Sequence, residues 1–207
     1  MTKARLAILI SGRGSNMAAL ATATINPHYP AQVVTVIADR PDAAGLTHAA
    51  TAGLQTFVVA RKKYRSQRSF EAALATALTA ARPDWIALAG FMRILSPEFV
   101  TRWSGRIINI HPSLLPAYKG LDTHTRALSD GAKIHGATVH HVVPELDAGP
   151  IIAQAAIAVR PFDTHDTLAA RVLAAEHALY PAALKTLIEG RAAAAGDTIL
   201  FNPPLPA

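Results

Sequence analysis

Asn109 and His111 lie two apart at the end of the β-rich run Arg106–His111, just before Pro112-Ser113-Leu114-Leu115-Pro116. On a strand, residues two apart point to one face. An amide and an imidazole aimed together suit the stabilisation of an oxyanion and the movement of a proton. Without further support His111 reads equally as a core histidine beside a proline-rich loop. A second segment, Glu145-Leu146-Asp147-Ala148-Gly149-Pro150, offers a carboxylate between two further β-like runs. Beside His111 that carboxylate would orient the ring. Alone, Asp147 reads as a turn residue before glycine.

A third segment, Ser11-Gly12-Arg13-Gly14-Ser15-Asn16, joins the first β-run to a helical pattern. Glycines allow a tight turn and close approach of a ligand, and a helix start presents unpaired N–H groups that suit a phosphate. No Gly-Lys-Ser/Thr follows, so this is not a P-loop. Met17 stands where a dinucleotide fingerprint has its third glycine, although Asp39 ends the second β-run where such folds keep a ribose-binding acid. The plainer alternative is a tight turn with Ser15 or Asn16 capping the helix. His124, His135, His140 and His141 invite a metal reading, but there is no H-E-x-x-H, and His140 and His141 point to opposite faces of a strand. No metal is expected.

These residues need a frame. Arg5–Ser11, Gln32–Ala38, Gln55–Val59, Trp85–Ala89 and Arg106–His111 read as strands, apolar enough to be covered on both faces. Helical patterns at Asn16–Thr24, Ala44–Ala52, Ser66–Ala81 and Pro97–Trp103 alternate with them, with Gly53 and Pro83 as stops and Ser96-Pro97 as a start. Such alternation predicts a parallel α/β sheet whose ligands bind at the carboxyl ends of the strands. After His111 the pattern changes. A short helix around Thr123–Asp130 precedes strand-like runs Ile134–Val143 and Pro150–Val159, whose short connection predicts an antiparallel or mixed edge. Asp166–Glu189 reads as a long helix with a bend at Pro181, and Pro203–Pro206 as a frayed tail. The expected fold is α/β: a Rossmann-like open sheet with a parallel N-terminal half, a mixed or antiparallel C-terminal edge and helices on both faces. The whole of residues 1–207 is expected to be one domain on one sheet, with halves at about 1–105 and 106–207.

Composition narrows the function. With 207 residues, 51 % hydrophobic and 16 % charged, the chain can bury a large core. Its longest apolar runs, such as Trp85–Met92, fall far short of the roughly 18–20 residues of a membrane span. It has no cysteine, which excludes disulfides, thiolate metal sites and a cysteine nucleophile and fits a cytoplasmic protein. Twenty basic against fourteen acidic side chains leave +6, which implies anionic partners. The one dense basic run is Arg61, Lys62, Lys63, Arg65 and Arg68, and aromatics are only 6 %. A small anionic substrate therefore fits better than nucleic acid, and the run reads otherwise as a solvated face.

Taken together, the segments resemble the phosphoribosylglycinamide formyltransferases, folate-dependent enzymes of purine synthesis. The likeness rests on Ile10–Asn16, Leu88–Pro97, Asn109–Pro116, Glu145–Pro150 and Glu176–Pro181, in that order along almost the whole chain. It implies formyl transfer from 10-formyltetrahydrofolate, a cosubstrate, to the amine of glycinamide ribonucleotide, without a metal. It implies that Gly14, Ser15 and Asn16 hold the ribonucleotide phosphate and that Glu176 contacts its ribose or glycinamide end. Met92, Arg93, Ile94, Leu95 and Asn109 would line the folate pocket, mostly through backbone groups at 92–95, and the loop at Leu146–Asp147 would close its pterin side. Asn109, His111 and Asp147 would be the catalytic trio. Two positions depart from the family pattern. Gln67 stands where the family often has a folate-proximal arginine, a contact that Arg68 or Arg65 would have to supply, and Arg13 replaces a small or polar residue.

The resemblance implies small-molecule partners, no nucleic acid, no membrane, and a monomer or homodimer. Methionyl-tRNA formyltransferases carry a further C-terminal domain and a different first loop, and formyltetrahydrofolate deformylases an N-terminal regulatory domain. With a first strand at about Arg5 and an end soon after the long helix, neither is expected here. A dinucleotide-dependent oxidoreductase, resting on Gly12, Gly14 and Asp39, and a non-catalytic module using the basic run are the readings from other classes.

Overall fold

A computed structural model describes residues 2–190 and 199–201. Its chain divides into two compact units, one of residues 1–109 with 142–144 and one of residues 110–141 with 145 onwards.

The first unit alternates strand and helix: β1 (Ala4–Ile10), α1 (Ser15–Ile25), β2 (Ala31–Ala38), α2 (Ala44–Thr51), β3 (Thr56–Val58), a 3-10 turn at Arg61–Lys63, α3 (Gln67–Ala81), β4 (Trp85–Leu88), α4 (Pro97–Arg102) and the start of β5 (Ile107–His111). All pairings are parallel, β2 with β1 and β3, and β4 with β1 and β5. Leu6 to Ile10 are each fully buried, so both faces of β1 are covered and the near-continuous apolar run has its physical reason. Leu9, Ile86 and Ile107 pack with Phe70, Leu74 and Leu78 of α3 and Phe99 of α4 in one apolar cluster. The helix starts follow the sequence signals. Ser66 caps α3 in a capping box, and Ser96 accepts from Phe99 N–H with Pro97 behind it. α3 stops where Arg82 turns left-handed, one residue before Pro83.

The second unit holds α5 (Thr123–Ser129), the antiparallel pair β6 (Ile134–His141) and β7 (Ile151–Ala158), and α6 (His165–Ile188). Pro181 lies inside α6, which is one helix from His165 to Ile188. A short strand unmarked by any periodicity, β8 (Ile199–Phe201), pairs parallel to β7. The tail at 203–206 lies outside the described residues.

Candidate functional site

The glycine turn of the first unit is built from backbone. β1 ends at Ile10, and Gly14 takes φ 74° as the N-cap of α1, which no side chain caps. Neither Ser15 nor Asn16 is the cap, because Gly14 already makes the turn and Ser15 is the first helical residue. Glycine is needed at 14 on two counts. The φ is left-handed, and an added Cβ would stand 2.7 Å from the Gly45 Cα. Gly45, in the first turn of α2, donates its N–H to Gly12 O at 3.0 Å. Arg13 is exposed.

Ser11 links this turn to the segment after β4. Its Oγ accepts from Met92 N–H at 2.8 Å and its N–H donates to Gly90 O at 3.1 Å. Met92 and Ile94 are strongly exposed at 70 % and 74 %, whereas Leu95 turns into the core. The Arg93 guanidinium reaches back to the fully buried Asp39 and donates to its Oδ2. The other oxygen, Oδ1, is buried and has no partner among the described residues. A carboxylate so engaged is not presented to a ribose hydroxyl, which removes the main support for a dinucleotide site.

The departure at Gln67 has a local account. Its amide donates to Glu71 Oε1 at 2.9 Å and to Ile94 O at 3.1 Å, while Glu71 accepts from Ser96 N–H at 2.7 Å and from the Ser96 hydroxyl. Gln67 thus braces the 92–96 segment. Arg68 lines a cleft of about 680 Å³ between α3 and α4 together with Glu98 and Arg102.

Asn109, the last residue of the first unit's main stretch, is half-buried on β5. The second unit builds with side chains, and its His111 is 6 % exposed. The His111 Nε2 lies 2.9 Å from Tyr118 O, and a carbonyl only accepts, so this nitrogen carries a proton. Its Nδ1 lies 3.5 Å from Asp147 Oδ2, a second acceptor. Asp147 is held in turn: its Oδ2 accepts from Gly120 N–H at 2.9 Å, and its own φ is 46°. His140 Nε2 lies 3.8 Å from Asp147 Oδ1, but burial pushes His140 below the ordinary histidine value and its Nδ1–H is given to His141 O. His140 therefore offers Asp147 little charge at neutral pH.

The loop between His111 and Gly120 is anchored from below. Thr138, fully buried on β6, donates to Ser113 O at 2.6 Å and accepts from Leu115 N–H at 3.0 Å. Gln154 on β7 donates to that same hydroxyl and to Leu115 O, both at 2.9 Å. Ser113 Oγ donates to Ala117 O at 2.6 Å, next to the Tyr118 carbonyl that receives His111. Glu176 is buried on α6. His135 and His124 hydrogen-bond each other, Nε2 to Nδ1, at 3.1 Å, and burial with the neighbouring His124 lowers His135 to about 4. Among the described residues no group of three or more His, Cys, Asp or Glu is arranged to hold a metal.

His111 and Asp147 are thus brought together, as are Ser11 with Met92 and Arg93 with Asp39. Sequence reasoning missed Gly45, Tyr118, Gly120, Thr138 and Gln154. Only Gly45 and the buried amide of Gln154 within an alanine-rich strand left any signal, a residue type unusual for its place. Tyr118 and Gly120 act through backbone groups, and Thr138 acts through its hydroxyl on residues far away in the chain.

A family model described as formyl transferase matches residues 4–184. The phosphoribosylglycinamide formyltransferase of Escherichia coli is 42 % identical over 186 residues, covering 90 % of this chain and 88 % of that protein. The human trifunctional purine biosynthetic protein adenosine-3 is 46 % identical over 188 residues, 91 % of this chain, but the chain spans only 19 % of that protein's length. A crystal structure of phosphoribosylglycinamide formyltransferase from Brucella melitensis superposes with TM-score 0.88 at 51 % identity, covering 91 % of this chain and 97 % of the other. The chain belongs to the formyl transferase family.

Proposed function

We propose that this chain transfers the formyl group of 10-formyltetrahydrofolate to the amine of glycinamide ribonucleotide, a step of purine biosynthesis. The observation that carries the reading is His111 set between two acceptors, Tyr118 O and Asp147, in a chain like the E. coli enzyme over nearly its full length. The amine nitrogen attacks the formyl carbon and a C–N bond forms. The carbonyl oxygen becomes an oxyanion, stabilised by the Asn109 amide and a doubly protonated His111. Asp147 orients that ring and holds a water that takes up the amine proton and returns it to N10 of the folate as its bond to the formyl carbon breaks. Holding two bound substrates in line supplies much of the rate.

The ribonucleotide phosphate is assigned to Gly14, Ser15 and Asn16, its ribose or glycinamide end to Glu176, and the folate to residues 92–95 and Asn109. Exposed Met92 and Ile94, on a segment braced by Ser11 and Gln67, support the last assignment. The side chain of Arg93 is committed to Asp39, which supports a backbone role at that position. The reading carries with it one catalytic domain in the cytoplasm, acting as a monomer or homodimer on small-molecule substrates. No helix among the described residues is long and apolar enough to cross a membrane. The test is an assay of purified protein with both substrates and with each omitted. Formate released from the folate without ribonucleotide, and no transfer with it, would assign a deformylase instead.

A further inference from the structure

At the amino ends of β1 and β4, the ends opposite the glycine turn, a pocket of about 340 Å³ is lined by Thr79, Arg82, Pro83, Asp84, Trp103 and Arg106. Its cations are held in place. Arg106 donates through Nε to Asp84 O at 3.1 Å and through Nη2 to Pro83 O, and its guanidinium lies 5.0 Å from the centre of the Trp103 ring. Arg102 sits 5.9 Å from the same ring and its Nη2 lies 3.4 Å from Thr79 Oγ1. Arg5, behind the wall, donates to Arg82 O at 2.9 Å and Ala81 O at 2.7 Å. Two arginines, Arg82 and Arg106, therefore line the pocket beside one carboxylate, Asp84, whose Oδ2 already accepts the Arg5 N–H at 2.8 Å, and Arg102 lies against the Trp103 ring that forms part of its wall. The cations of the lining outnumber its one carboxylate, and an anion would offset the excess.

Two further observations point to a ligand. Arg82 is exposed, enters no ion pair among the described residues, and holds φ 46°, a conformation that glycine takes more readily. That conformation ends α3, and the side chain it carries stays exposed. Trp103 is 6 % exposed, and its indole N–H, a donor that normally finds a partner when buried, has none among the described residues.

We propose that this pocket binds the di- or triphosphate group of a small molecule. Guanidinium forks match phosphate oxygens in pairs, and Arg82 and Arg106 lining one space, with Arg102 beside it, suit a chain of phosphates. The Trp103 ring already carries Arg102 and Arg106 against it, so recognition rests on the phosphates and not on a stacked base.

The chain has two tryptophans, so its indole N–H signals resolve by NMR of the ¹⁵N-labelled protein, with Trp103→Phe giving the assignment. Pyrophosphate and tripolyphosphate, added at low salt, are expected to move the Trp103 signal saturably. Arg82→Gly removes the guanidinium in a backbone geometry that glycine prefers, and is expected to weaken both by about tenfold. ATP and tripolyphosphate binding with similar affinity supports recognition of the phosphate chain alone. ATP binding with no response to tripolyphosphate overturns it. An equal shift from sodium chloride at matched ionic strength, or an unchanged affinity in Arg82→Gly, overturns the site altogether.

Discussion

The two units make their candidate functional groups from different material. In the first unit the Gly12–Asn16 turn relies on main chain: a left-handed glycine, an uncapped helix start and a second glycine packed against it. In the second, His111 at the end of β5 and Asp147 in a turn are side chains aimed by Tyr118 O, Gly120 N–H and the Thr138–Gln154 network beneath. A main-chain site is vulnerable to one added carbon and indifferent to many side-chain changes. A side-chain site fails on the loss of a single functional atom.

The sharpest break in that comparison is at the side chains. His111→Ala and Asp147→Asn are each expected to lower kcat by about 10²–10⁴ with folding retained. Steady-state rates beside circular dichroism measure this, and near-normal turnover of either folded variant removes that residue from the mechanism.

The difference also explains what could be read in advance. The parallel half was legible because β1, β2 and β4 are apolar on both faces and the helix starts carry Ser66 and Ser96-Pro97, signals confined to a few neighbouring residues. His111 and Asp147 stood out by type and by the strand end or turn that holds them. Tyr118, Gly120 and Thr138 did not, because two contribute backbone groups and the third acts on residues more than twenty positions away. β8 is three residues long, too short for an alternation to register. The residue pattern placed the long helix at Asp166–Glu189, and α6 runs from His165 to Ile188 with Pro181 inside it.

At the main-chain site the expected effect is smaller and falls on binding. Gly14→Ala places a Cβ against Gly45 Cα at a left-handed φ. It is expected to raise KM for the ribonucleotide by about tenfold or more and to lower stability by about 1–3 kcal/mol. Ser15→Ala, which leaves the backbone alone, should change KM far less. Equal effects of the two would mean that the Ser15 side chain, not the turn, does the binding.

Acid should divide the units in another way. His135 is 1 % exposed and is lowered to about 4 by burial and by His124. Its folded value lies below its unfolded value, so between about pH 6.5 and 4 the unfolded chain binds the extra proton and stability falls as pH falls. The loss is expected to reach up to about 3 kcal/mol by the bottom of that window. Denaturant melts across the range check it, and His135→Gln should flatten the slope. An unchanged slope would place the titration elsewhere.

The smallest effect is expected at the basic run. Arg61 is committed to structure, since its Nη1 donates to Tyr64 O at 2.8 Å and its guanidinium lies 5.8 Å from the Phe70 ring. Lys62, Lys63 and Arg65 are exposed on and after the 3-10 turn, held by no such contacts among the described residues. Cellular folates carry acidic polyglutamate tails, and exposed cations attract such a tail at long range by about 1 kcal/mol or less per pair, screened by salt. Replacing these three residues with serine should therefore raise KM for a polyglutamylated folate at low salt, while KM for the monoglutamate and kcat stay nearly unchanged. Added salt should shrink the difference between variant and parent. The two cosubstrates decide the matter together, because damage to the folate pocket would move both KM values alike, and a purely solvated face would move neither.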